Sequence, residues 1–235
     1  MFPDFLENPS DVAAPLLLGC TLTRTITLNG EKHKLVARIV ETEAYDQDDS
    51  ASHAFGGPSE RNAAMFGPAG HLYVYVSYGM HHCCNVVCGP EGFGSGCLVR
   101  AVEPLESVEV MRELREAGRA GKEQAERARK HPLKLRDLTN GPGKVCAALG
   151  IDKELYGHDL TVEPLVLGFA PLLPGETIGS SPRVGISKNI DAPKRFFIEG
   201  NEFVSRALII SRMQDGTKIL SMSSTKKDLG RPRSF

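Results

Sequence analysis

The stretch Arg38-Ile39-Val40-Glu41-Thr42-Glu43-Ala44-Tyr45 is a β-branched run that delivers a carboxylate, Glu43, and an aromatic ring, Tyr45, two residues apart. Residues two apart on a strand share a face. A carboxylate held beside a flat ring can activate water next to a bound planar molecule, so this string points to chemistry on an aromatic heterocycle. Further along stand His53, the tyrosines 73, 75 and 78, Asn85 and Arg100. Each has a plainer reading. Glu41 and Glu43 could be alternating charges on an exposed strand, and parity does not say which of them is functional. Strand tyrosines usually pack sheets. His53 could be an ordinary loop histidine, Asn85 a turn or edge residue, and Arg100 a surface cation or ion-pair partner.

Two other clusters invite chemistry. His81-His82-Cys83-Cys84, with Cys88 and Cys97 nearby, suggests a metal. Zinc ligands usually come in spaced pairs, whereas adjacent pairs on a strand point to opposite faces, so no metal is expected. Gly141-Pro142-Gly143-Lys144 is too short for a nucleotide-binding loop, which would need a Ser or Thr after the Lys. It could still place amides and Lys144 against one backbone phosphate, or be a simple helix cap.

The elements that must position these groups are mixed. Ser10 or Asp11 can cap a short helix closed by Gly19. Strands follow at about 20–28 and 33–44 around the hairpin signal Asn29-Gly30. Residues 46–70 have no clear periodicity, and a loop of that length inside a compact domain is usually functional. The runs 72–77 and 84–88 read as a hairpin with Tyr78 at its tip, and 97–102 as a further strand. Pro104 suits the first turn of a helix carrying Leu105, Val108, Met111 and Leu114 and stopping near Gly118. A capped helix from Thr139 to Gly150 and a short strand at 195–198 complete the pattern.

The 235 residues, 41% of them apolar, fit one domain, with no repeat or long linker. Met1-Phe2-Pro3-Asp4 carries no secretory signal pattern, and the apolar stretches fall short of the roughly 20 residues a membrane helix needs. A soluble protein that is not secreted is expected, cytoplasmic or at the nucleoid in a bacterium and nuclear in a eukaryote. Six cysteines without framework spacing read as reduced thiols. The net charge of −1 argues against a generally sticky nucleic-acid binder, yet residues 41–60 hold six acids and no Lys or Arg, whereas 112–136 hold nine basic residues and four acids. Such segregation can hold a polyanion while keeping a carboxylate at a reaction centre, although composition alone favours a solvated mixed-charge helix pair.

The blocks 38–45, His53, Arg61-Asn62 with Met65-Phe66, Leu72–Tyr75 with Tyr78-Gly79-Met80, Asn85, Leu98–Ala101 with Glu103-Pro104, and Asn140–Lys144 share their order and spacing with one family. From about residue 8 to 206 the chain resembles the alkyladenine (3-methyladenine) DNA glycosylases. The resemblance implies a mixed α+β domain with a curved, mainly antiparallel sheet, flanking helices and a protruding DNA-binding β-hairpin. It implies a monofunctional base-excision enzyme acting on duplex DNA with damaged purines, as a monomer and without metal or cofactor. By position, Glu43 matches the general base and Arg100 the residue that helps hold the attacking water. Tyr45, His53 and Tyr75 match the walls of the flipped base's pocket, Asn85 the residue that disfavours guanine, and Tyr78 the wedge. Lys144 is a weaker DNA-backbone candidate. The His81–Cys84 run departs from the family's more apolar hairpin.

The expected activity is release of alkylated purines and hypoxanthine. The alternatives are an inactive relative that only binds deformed nucleic acid, and a metal hydrolase using His53, His81, His82 and Cys84.

Overall fold

The computed structural model describes residues 4–117 and 133–205 and two strands further on, at 208–212 and 218–222. Most of the basic stretch at 112–136 and the expected stop at Gly118 lie outside the described residues, as does all but Met222 of the segment 222–235, whose run through Arg231-Pro232-Arg233 reads in the sequence as a basic tail.

Strands β1 (Thr21–Leu28) and β2 (Glu31–Asp46) form the hairpin that Asn29-Gly30 announces. Both turn residues have positive φ, 52° and 84°, as a tight hairpin turn requires. Strands β3 (Leu72–Ser77), β4 (His81–Val87), β5 (Ser95–Glu106) and β6 (Leu165–Gly168) extend the sheet in the order β3-β4-β5-β2-β1-β6. Strand β8 (Arg195–Ile198) pairs with β2 and carries β7 (Ile178–Ser181). Every pairing is antiparallel, and the sheet curls into a half-barrel.

Among the described residues three helices flank it, α1 (Ser10–Leu16) on β2, α3 (Pro142–Leu149) on β4 and β5, and α2 (Val108–Ala117) against α3. One core runs between sheet and helices through Leu17, Leu22, Ile39, Leu72, Val86, Val99 and Leu149. Strand β2 is the spine. Residues 35–44 are buried without a break, so both faces are covered, and Glu41–Glu43 are paired on both edges, to β5 and to β8.

Local signals were overridden at three points. Pro104 does not open a helix; it lies in β5 opposite Ala37, beside a register shift at Val36/Ala37 where a missing N–H is tolerated. The strand breaks at Ser107 (φ 57°) and α2 starts at Val108. Pro9, not Ser10 or Asp11, stands at the α1 cap, and the Ser10 amide donates to Asp46 Oδ1 at 3.1 Å. Helix α3 has no side-chain cap; it begins with Gly141 and Pro142, whose absent N–H would be unpaired there anyway, and it ends on left-handed Gly150 (φ 58°).

The loop between β2 and β3 is ordered by its own small core of Ala54, Met65, Tyr73 and Val87. Asn62 pins it, donating to His53 O at 2.8 Å and Gly57 O at 3.0 Å. All six cysteines are buried and free of disulfides, with Cys88 and Cys97 Sγ in hydrogen-bond contact at 3.6 Å. No helix among the described residues is long and apolar enough to cross a membrane. Residues from Arg206 form a second compact unit, whose described part is the antiparallel pair β9 (Leu208–Arg212) and β10 (Lys218–Met222).

Candidate active site

The sheet register assembles the site. Tyr73 pairs with Asn85, Asn85 with Leu98, and Leu98 with Glu43, one row across four adjacent strands. Cross-strand partners share a face, so all four side chains project to the same side, and Tyr75, Cys83, Arg100 and Tyr45 follow two residues on. All eight line one cavity of about 500 Å³, within the range of small-molecule sites. His53 from the β2–β3 loop, Tyr78 from the hairpin, Pro142 of α3 and the loop segment Val184–Lys188 also line it.

Glu43 is fully buried on the cavity floor. Its Oε1 accepts the Val184 amide at 2.7 Å and faces Arg100 Nη1 at 3.3 Å; its Oε2 accepts the Tyr45 hydroxyl at 2.8 Å. A carboxylate has about four acceptor sites. These contacts use three and leave one on Oε2 for a further donor. Burial pushes the Glu43 carboxyl above its ordinary value, opposed by the Arg100 charge and by the Val184 and Tyr45 hydrogen bonds. Burial alone would lower the Arg100 guanidinium, yet Glu43 and Glu41 outweigh it and hold its pKa above the ordinary value.

Glu41 is not an exposed strand charge. Fully buried, it accepts Arg100 Nε at 3.1 Å, Arg195 Nε at 2.6 Å, and the Ser205 amide and hydroxyl at 2.7 and 2.8 Å. Its acceptor sites are filled and it does not line the cavity. Tertiary packing thus separates two carboxylates that alternation leaves equivalent.

The aromatic wall is built in layers. Tyr73 is buried, with its ring centroid 5.7 Å from that of Tyr75 at an interplanar angle of 24°. His53 Nδ1 bonds the Tyr73 hydroxyl at 3.0 Å and its ring meets Tyr75 edge-on at 4.6 Å. Burial, with the Arg61 charge, pushes the His53 imidazole below its ordinary value, favouring the uncharged ring. Asn85 is buried and donates to Tyr73 O at 3.3 Å. Cys83 lies beside Tyr75, and burial lifts its thiol to about 11, which keeps it protonated.

Tyr78 stands at the tip of the β3–β4 hairpin, 86% exposed, with Met80 74% exposed beside it. The turn is closed by the Met80 amide on Ser77 O, with φ positive at Tyr78 and Gly79. Lys144 is not part of the cavity lining; its Nζ donates to Asn140 Oδ1 at 2.6 Å at the start of α3. The residues of the metal reading are dispersed. His53 faces the cavity, His81 packs near Gly143, and Cys84 is buried beside Cys146. Among the described residues, no three His, Cys, Asp or Glu side chains are grouped to hold a metal ion.

Sequence reasoning missed the loop between β7 and β8. Val184 bonds the Glu43 carboxylate, and buried Arg183 pairs with Asp49 Oδ2 at 2.6 Å while donating to Ala44 O at 2.8 Å. Nothing periodic marks this segment, and its partners lie about 140 residues away in the chain.

A family model described as "Methylpurine-DNA glycosylase (MPG)" matches residues 4–202. The chain is 44% identical over 203 residues, covering 86% of its length and 92% of the relative, to a Nitrosospira multiformis protein named "Putative 3-methyladenine DNA glycosylase". Proteins of the same name from Agrobacterium fabrum (47% over 170 residues, 72% of this chain and 77% of the relative) and Chlorobaculum parvum (46% over 208 residues, 86% and 88%) are also similar.

Proposed function

The chain belongs to the methylpurine-DNA glycosylase family, and from that premise we propose that it is a monofunctional DNA-repair enzyme that turns damaged purines out of duplex DNA and hydrolyses their N-glycosidic bond. The observation that carries this reading is Glu43, a buried carboxylate with one open acceptor site on the floor of an aromatic-walled cavity. Water donates a proton to Oε2 of Glu43 and its oxygen attacks C1′ of the sugar. The C1′–N bond breaks, and the base leaves with the bonding electrons. Arg100 positions the carboxylate and the water.

Extrusion of a base costs a few kcal/mol of unstacking, which damaged or mismatched bases partly avoid. Tyr78, at the exposed hairpin tip, fills the vacated stack. N3- and N7-alkylated purines are cationic, so the faces of Tyr45 and Tyr75 attract them by roughly 0.5–2 kcal/mol. They are also good leaving groups, which is why one base suffices without the acid–base pair of glycoside chemistry. Asn85, at the pocket edge, penalises guanine's exocyclic amine, a cost that the cationic ring of 7-methylguanine offsets against the aromatic walls, while hypoxanthine, which lacks the amine, is admitted without it. Every lining residue described for the cavity belongs to the 1–205 unit, so one chain is sufficient to build it.

The test is incubation with duplexes carrying single lesions, 3-methyladenine, 7-methylguanine, ethenoadenine or hypoxanthine, followed by alkali. Base release with strand scission only after alkali is expected. Tight lesion binding without release would instead make the protein an inactive recognition module.

A further inference from the structure

Arg183 makes a contact that the hydrolytic chemistry does not use. Its Cζ lies 4.6 Å from the centroid of the Tyr45 ring, and its side chain is fully buried. Tyr45 lines the cavity and Arg183 does not, so the ring stands between the guanidinium and the space where a base would stack. The guanidinium is fixed there by Asp49 Oδ2 at 2.6 Å and by Ala44 O at 2.8 Å. Asp49 is itself fixed by the Ala51 amide and by Asn189 Nδ2, each at 3.0 Å.

An aromatic ring attracts cations through the negative faces of its quadrupole. A cation seated on one face draws that density toward itself and repels a second cation across the ring. The opposite face then holds a cationic purine less strongly, while its dispersion contact with a neutral purine is unaffected. We propose that Arg183 is a positioning residue that, through Tyr45, restrains the pocket's preference for cationic over neutral purine lesions. This rests on the reading of the cavity as a purine pocket, and it deepens that reading by assigning the balance between two lesion classes to one residue behind the wall. Lys194 Nζ also reaches Asp49 Oδ2 at 3.8 Å and Asp46 Oδ2 at 3.7 Å, so two cations face two carboxylates and the cluster is neutral overall; Arg183 acts through the ring rather than as a general repulsion of cations.

The test compares affinities for matched duplexes carrying one 7-methylguanine, which is cationic, or one hypoxanthine, which is neutral. Each sits on a 2′-fluorinated sugar that resists cleavage, and each is normalised to undamaged duplex. The cationic-to-neutral ratio is taken within each variant, so loss of folded protein cancels. The Arg183→Met/Asp49→Asn double variant removes cation and counter-charge together, and the ratio should rise on the order of threefold, a fraction of one cation–π contact. Asp49→Asn alone leaves the guanidinium on the ring without its counter-charge, and the ratio should fall. A residue that merely supports the fold would weaken both lesions alike, so an unmoved ratio, or movement in one direction in both variants, overturns the proposal. If the double variant does not fold, Asp49→Asn decides: no fall in the ratio overturns it. Wild-type release from unfluorinated duplexes keeps the two readings apart. Failure to release either base defeats the proposed function, whereas release of both with an unmoved ratio defeats only this inference.

Discussion

Glu41 and Glu43, two residues apart on one strand and both fully buried, are bridged by a single guanidinium, Arg100, through Nε at 3.1 Å to Glu41 and Nη1 at 3.3 Å to Glu43. Glu41 is saturated by Arg100, Arg195 and Ser205, while Glu43 keeps an acceptor site toward the cavity.

The two carboxylates should therefore separate by readout. Glu43→Gln keeps the shape but cannot accept a proton, and should cut single-turnover base release by at least about 100-fold while lesion-duplex affinity is kept. Glu41→Gln removes the counter-charge of two buried arginines and should cost about 3–5 kcal/mol of stability, read as a lower denaturant midpoint. Equal residual activity in the two folded variants would defeat the assignment of Glu43 as base.

Tyr45→Phe keeps the stacking ring but deletes the hydroxyl that donates to Glu43 at 2.8 Å. That hydrogen bond favours the ionised carboxylate, so its loss raises the already elevated Glu43 pKa further. The base must be ionised to act. The acid limb of the kcat/KM profile should consequently move to higher pH, with the rate at high pH little changed; an unmoved limb would reduce Tyr45 to a wall.

Tyr78 is 86% exposed, so Tyr78→Ser should leave thermal stability unaltered. It should still weaken lesion-duplex binding and excision by about 1–3 kcal/mol, the value of one base–aromatic stack. Fluorescence of a base analogue beside the lesion reports flipping directly, and undiminished flipping in the variant would remove the wedge role.

Asn85→Ser opens the pocket edge and should raise release of unmodified guanine relative to hypoxanthine, even if total activity falls. The ratio of single-turnover rates in matched duplexes measures it. A constant ratio would leave Asn85 as a structural donor to Tyr73 O.

Asp49 sets part of the acid stability. Burial would raise its carboxyl, but the Arg183 guanidinium 2.6 Å from its Oδ2, with the hydrogen bonds from Ala51 and Asn189, brings it down to about 2. A depressed folded pKa means stability that is present above the unfolded value of about 3.9 and lost as pH falls through the folded one. Acid titration should show stability falling from about pH 4 to about pH 2, and Asp49→Asn should flatten that interval while lowering stability at pH 7.

The sequence by itself determined the period-2 strands, the Asn29-Gly30 turn and the tyrosine-tipped hairpin, because each rests on residues within a few positions of one another. It also placed Glu43 and Tyr45 on one face, and the order of its motifs identified the family. Where local preference and pairing disagreed, pairing won: Pro104 signals a helix start, yet β2 recruits it into β5 at a register shift. Only the tertiary structure distinguished Glu41 from Glu43, since alternation is identical for both and the difference lies in Arg195 and Ser205, which arrive from more than 150 residues away. The same holds for the loop carrying Arg183 and Val184, whose bonds to Ala44 and Glu43 have no periodic signature. Strand periodicity specifies which face a side chain takes; which partners close over that face, and hence whether a buried carboxylate is saturated or left with an open site, is decided by long-range register.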